Sequence, residues 1–194
     1  LSMYACSDSE DPDMNEPDES VSMELTNANF TADLVLEDRN DGVDYIVVEN
    51  IDVDIEFEIR PGVTIEFREN TGMDVLEAGT INAVGLLDDQ ITFTGVLKCK
   101  GAWKGSIVES QSLKNQFKYC EFAFGVSETW GNDITGGLTT WANASINIDN
   151  CTFRDNKAYG VQFYPSLDVE IRSFESNSFE NNDRAVGINP SNVH

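Results

Sequence analysis

The chain has one histidine, and it is the final residue, His194. An HExxH metalloprotease and a histidine-rich metal site need more than one histidine, and a Ser-His-Asp triad would have to use the last residue, so composition argues against all three. Bases are scarce too. Twelve Lys and Arg face 35 Asp and Glu, a formal charge of −23 over 194 residues, which argues against nucleic acid or an anionic membrane surface as a partner. No apolar run approaches the roughly eighteen residues that a spanning helix needs. The four cysteines, Cys6, Cys99, Cys120 and Cys151, lack the CxxC spacing of a zinc site. Helical periodicity is missing as well: from Val43 to His194 no stretch of about twelve residues repeats at 3.6 with caps. Against these absences stand 40% hydrophobic residues and eleven Phe, too many for a disordered chain, in a length that suits one domain with a tail.

The charge divides along the chain. Residues 1–24 hold eight acids and no base, and the rest carry 27 acids against 12 bases, a net −15. A polar, acidic, proline-containing stretch cannot bury enough surface to fold, so 1–24 is expected to be a disordered linker. The sequence LSMYAC that opens this stretch, with small Ala5 ahead of Cys6, resembles the end of a bacterial lipoprotein signal. That resemblance implies Cys6 as a lipidated first residue and a cell-envelope or cell-surface location, with contact to the membrane only through the lipid; Met3 and Tyr4 depart from the preferred residues. Without the anchor the protein is expected to be secreted. The other end, NPSNVH, follows directly on repeat-like sequence, so it is either a short cap or a truncation.

Short alternating runs dominate the body. In IDVDIEFEI, residues 51–59, the apolar Ile51, Val53, Ile55, Phe57 and Ile59 alternate with Asp52, Asp54, Glu56 and Glu58, the pattern of a half-buried strand. PGVTIEF follows, with Pro61 and Gly62 at a corner. A triplet then recurs, ending at Phe67, Phe93, Phe122, Phe153 and Phe179, with spacings of 26, 29, 31 and 26 residues. Each copy is followed by Asn or Gly. One such unit cannot bury its own apolar face, whereas stacked units pair every backbone group with a neighbour at about 4.8 Å. The expected fold is all-β: a right-handed, single-stranded parallel β-helix of about five turns over 51–194, possessing an interior Phe ladder. Residues 25–50 are expected to form an N-terminal cap, with Phe30, Leu34, Val35 and Leu36 over the first turn and a short helix near 27–36.

The stretch from Val43 to Gly105, with PGVTIEF, GMDVLEAGTINAVG, DDQITFTG and the pair Trp103 and Gly105, resembles the right-handed β-helix repeats of the pectate-lyase-like superfamily, in a form common on bacterial surfaces. About 150 residues share this likeness, and what it implies is a fold more than an activity, since lyases, hydrolases, adhesins and scaffolds all use it.

Candidate site residues are few. Asp52, Asp54, Glu56 and Glu58 form a negative stripe that suits weak calcium binding, although one strand alone cannot wrap the ion; no other cofactor is indicated. Trp130, Trp141, Tyr159 and Tyr164 are candidates for ligand contact, because outward aromatic rings suit sugar faces and ligand sites combine apolar walls with a few polar groups. The Gly-rich segment 125–141, which lengthens one repeat, either presents its Trp residues as a platform or folds them back over the coil. Cys120 and Cys151 occupy equivalent places and are expected as buried free thiols, with a disulfide permitted by distance; Cys99 is expected on a loop, unpaired. No residue is expected to be catalytic. The functional expectation is a non-catalytic cell-surface module binding a polysaccharide or a surface protein. The alternatives are a polysaccharide lyase or glycoside hydrolase, or a fragment of one, and the stalk of a larger adhesin.

Overall fold

A computed structural model describes residues 22–39, 42–128, 130–131, 134–141, 143–164 and 169–188. Numbered in chain order, the strands build three parallel sheets. Sheet A stacks β1 (Met23–Leu25), β3 (Tyr45–Val47), β6 (Thr64–Phe67), β9 (Ile91–Gly95), β12 (Cys120–Ala123), β15 (Thr152–Arg154) and β18 (Ser178–Glu180). Sheet C stacks β4 (Ile51–Val53), β7 (Gly72–Val75), β10 (Gly105–Val108), β13 (Gly136–Thr140), β16 (Tyr159–Phe163) and β19 (Arg184–Ile188). Sheet B stacks β2 (Leu34–Leu36), β5 (Glu56–Ile59), β8 (Thr80–Val84), β11 (Gln116–Lys118), β14 (Ser145–Asp149) and β17 (Glu170–Glu175). The chain visits A, C and B in that order, so the protein is a parallel β-helix with five complete turns, β3 to β17, between a partial turn at each end.

The turns differ in two ways from the sequence expectation. The run 51–59 is not one strand. It bends at Asp54 and Ile55, so Ile51–Val53 joins sheet C and Glu56–Ile59 joins sheet B; an alternating run continues through a corner because both strands face the same core. The segment 25–50 is built as coil, with β2 and β3 paired to the next turn, and β1 already starts at Met23. The helix expected near 27–36 shrinks to one 3₁₀ turn, Asn27–Asn29. Leu36 is buried while Val35 faces out. Phe30 does cover the first turn, edge-on to Phe57 with centroids 5.1 Å apart.

The Phe ladder is real but shifted. Phe93, Phe122, Phe153 and Phe179 lie in register on sheet A, with near-parallel rings at 4.7, 5.2 and 5.3 Å. Phe67 is two residues out of that register: Phe93 pairs with Ile65, and Phe67 with Gly95. Phe67 instead stacks on fully buried Trp103 at 4.2 Å, whose indole N–H donates to the Ala123 carbonyl at 2.7 Å. A sequence triplet cannot report this, because corner lengths vary and absorb the slip.

Corners are set by left-handed residues at repeating places. Tyr119, Asn150 and Ser176 (φ 49°, 55° and 57°) precede the equivalent strands of sheet A, and Phe124, Asp155 and Asn181 (φ 64°, 55° and 51°) follow them. Asn and Asp tolerate this region through local hydrogen bonds. Buried amides finish the corners: Asn115 accepts from the Ile81 N–H and donates to the Ser110 and Ser145 carbonyls, and Asn156 accepts from the Gly125 N–H. These contacts satisfy backbone groups that the turning chain leaves unpaired.

Cys120 and Cys151 are buried free thiols, stacked one turn apart and bonded to backbone carbonyls. Burial, together with its neighbour Cys151, pushes the Cys120 thiol up. Both are therefore expected to resist an aromatic disulfide reagent in the folded protein and to react on unfolding; rapid native-state labelling of either would contradict this burial. Cys99 is disulfide-bonded, not unpaired as expected.

Candidate functional site

The bend at Asp54 and Ile55 breaks up the acidic stripe. Asp52 lies on sheet C, in register with Asp74, whereas Glu56 and Glu58 lie on sheet B, where Glu56 pairs with Lys114 and Glu58 with Arg60 at 2.7 Å. The four carboxylates thus do not converge, and among the described residues no group of three or more His, Cys, Asp or Glu is placed to hold a metal ion. Glu56, Glu58, Thr80, Asn82, Lys114 and Gln116 instead line an open groove of about 360 Å³ on sheet B, in which the Gln116 amide donates to Asn82 Oδ1 at 2.8 Å.

Sheet C carries the other candidates. On its outer face Asp52, Asp74, Ile107, Thr139, Gln162 and Gly187 stand in register along successive strands. The residue after each strand continues the pairing: Leu76, Glu109, Trp141 and Tyr164 each donate an N–H to the preceding turn at 2.8–3.1 Å. Glu109, Trp141 and Tyr164 are consequently neighbours in one column. The Trp141 and Tyr164 rings meet at 4.2 Å with a 44° tilt, and both remain partly exposed.

The other two aromatics occupy the opposite margin of this face. The segment after Gly125 leaves the coil through Val126, a β-branched residue at φ 75°, and folds back over sheet C. Trp130 lies on Gly72, where a Cβ would collide with its ring, and the Lys104 ammonium sits 5.1 Å from its centroid. Ile107 and Thr139 are fully covered and Ile134 nearly so. The fold-back arrangement, of the two considered for 125–141, is the one formed at Trp130; residues 129, 132, 133 and 142 are outside the described part. Tyr159 rests on Gly187 of the last turn, and its hydroxyl accepts from Arg184 at 2.7 Å. The structure thus brings Trp141 and Tyr164 together and holds Trp130 and Tyr159 apart from them.

Two residues of this face were not among the sequence candidates. Desolvation raises the Asp74 carboxyl from 3.8 to about 7, and Glu109 and Asp52 add to the shift. Glu109 is raised as well, by burial first and by Glu77 second. Asp74 Oδ1 and Trp130 Nε1 are both buried without a hydrogen-bond partner, an acceptor and a donor on the same outer face. Asp74 and Glu109 are 35 positions apart in sequence; only aligning MDVL with SIVE, LTTW and VQFY strand by strand would have placed them beside the aromatic pair.

Comparison with protein-family models, with curated proteins and with solved structures finds no match to this chain.

Proposed function

We propose that the protein is a non-catalytic cell-surface module that binds carbohydrate on the outer face of sheet C, in the manner of a pectate-lyase-like β-helix whose surface serves recognition. The observation that carries this reading is the Trp141–Tyr164 pair, two partly exposed rings 4.2 Å apart beside Glu109. Such rings offer apolar area to a sugar face, with carboxylate and hydroxyl acceptors alongside for its hydroxyl groups. The charge selects among polysaccharides. A body at −15, with exposed Asp52 on the same sheet, repels polyuronates and suits neutral or amino-sugar polymers. Titration with a panel of neutral, amino-sugar and uronic polysaccharides tests it. Trp141→Ala is expected to weaken binding of the best neutral or amino-sugar polymer at least about tenfold, or ~1.4 kcal/mol. Equal binding by the variant, or binding confined to uronic polymers, would contradict it.

A second reading, glycoside hydrolysis, is favoured by one feature: a carboxyl held protonated near neutrality, Asp74, beside a second raised carboxyl, Glu109, since hydrolases pair an acid with a carboxylate. New reducing ends from an unmodified glycan, abolished by Asp74→Asn, would support it over simple binding.

The lipid anchor on Cys6, and with it a bacterial cell-envelope location, belongs to this proposal; residues 1–21 lie outside the described part. Mass spectrometry of membrane-extracted protein is expected to show acyl mass on Cys6. An unmodified Cys6 thiol would remove the anchor.

A further inference from the structure

The groove on sheet B has no part in the sheet C site. Val35, Glu58, Asn82 and Gln116 stand in one outward column on four successive strands, with Thr80 on the same face of β8. The groove holds about 360 Å³, within the range of small-molecule sites. Its charges are already matched. Lys114 pairs with Glu56, Arg60 pairs with Glu58 at 2.7 Å, and Asp33 Oδ1 accepts the Glu56 N–H at 3.2 Å. An ionic ligand would have to break one of these contacts, so the groove suits a neutral one. What it leaves open is neutral as well. Gln116 Nε2 donates to Asn82 Oδ1 at 2.8 Å. Among the described residues the Asn82 Nδ2 donor, the Gln116 Oε1 acceptor and the Thr80 hydroxyl then have no protein partner.

We propose that this groove is a second sugar subsite, one that takes the acetamido group of an N-acetylated amino sugar. It rests on the carbohydrate reading for its ligand class, but on different residues from the sheet C face. A secondary amide has one N–H and one C=O, which match the Gln116 acceptor and the Asn82 donor. A peptide has such amides too, but one every 3.3 Å or so along an extended chain, and a single donor–acceptor pair would leave most of them unmet. An amino sugar carries one acetamido group per ring, with hydroxyls for Thr80. Its apolar ring face has a place on Val35, 44% exposed and two strand spacings, about 10 Å, from Asn82. One ring can therefore rest on Val35 while the acetamido group of the next meets the amides.

A ¹⁵N NMR titration of the intact chain with N,N′-diacetylchitobiose and, separately, with cellobiose tests this. The two disaccharides carry an acetamido or a hydroxyl group at the same ring position. The acetylated sugar is expected to give saturable shifts of the Asn82 and Gln116 side-chain amide signals. It should bind at least about tenfold more tightly than cellobiose, because a site built on a polar pair rejects the analogue that leaves it unpaired. Asn82→Asp, which turns the open donor into an acceptor, is expected to weaken the acetylated sugar at least about tenfold. The shifts in the unmodified chain do not depend on that variant folding. In the same spectra the Trp141 indole reports on sheet C. Moving Asn82 and Gln116 signals beside an unmoved Trp141 would support the groove and count against the sheet C site; the reverse would overturn the groove alone. Equal binding of cellobiose would overturn the proposal, as would amide signals that move only with a capped tri-alanine peptide.

Discussion

Replacing Phe122 by alanine is expected to cost the coil about 3–5 kcal/mol, the range for removing a buried aromatic side chain. Phe122 is wholly buried, sits between Phe93 and Phe153 in parallel stacks of 4.7 and 5.2 Å, and takes the edge of Phe117 at 5.2 Å. Three ring contacts vanish together, and the neighbouring strands, fixed by hydrogen bonds on both sides, cannot close the space. Urea unfolding of the variant measures the loss. A double-mutant cycle between Phe93 and Phe122 isolates the stacking component, expected at about 0.5–1.5 kcal/mol. A cost under about 1 kcal/mol for Phe122→Ala would mean that the ring is not enclosed by its turn neighbours, and the register of sheet A would be wrong.

Asp74→Asn is expected to stabilise the protein at pH 8 and to leave it unchanged at pH 4. An acid whose folded-state pKa lies above its unfolded value holds its proton more tightly when folded. Stability is therefore complete below the ordinary 3.8 and falls as pH rises toward about 7. The full shift corresponds to about 4 kcal/mol; Asp74 is only partly buried, so solvent screening brings the expected gain nearer to about 2 kcal/mol. In a protein of this size that raises the melting temperature by about 4–8 °C. Melting curves of both proteins from pH 4 to 8 give the comparison. Parallel curves would show that Asp74 ionises normally. A residue that costs stability on the face with the aromatic pair is what functional sites commonly contain.

The fold was legible because its cause is local and repeated. Alternation at Ile51, Val53, Phe57 and Ile59 marks inward positions whatever sheet they enter, and the equivalent Phe93, Phe122 and Phe153 recur because each must cover the next. Position within a turn was less legible. The bend after Val53 leaves the alternation intact, so the acids on either side looked like one stripe, and Phe67 matched the triplet while its strand was offset by two residues. The site was legible in half: Trp141 and Tyr164 stood out as aromatics, but their neighbour Glu109 and the half-buried Asp74 looked like ordinary members of an acidic surface. What distinguishes them is desolvation on sheet C, which depends on register and not on residue type.

The most direct test follows the three indole N–H signals in a ¹⁵N NMR titration of the intact chain with neutral and amino-sugar polysaccharides. Trp103 is enclosed in the coil, Trp130 is folded onto Gly72, and Trp141 stands with Tyr164 at the edge of sheet C. Binding on that face predicts a saturable shift of the Trp141 signal while the Trp103 signal stays in place. A Trp141 signal that does not move with any of these polymers, in protein whose Trp103 signal shows it to be folded, would contradict the account.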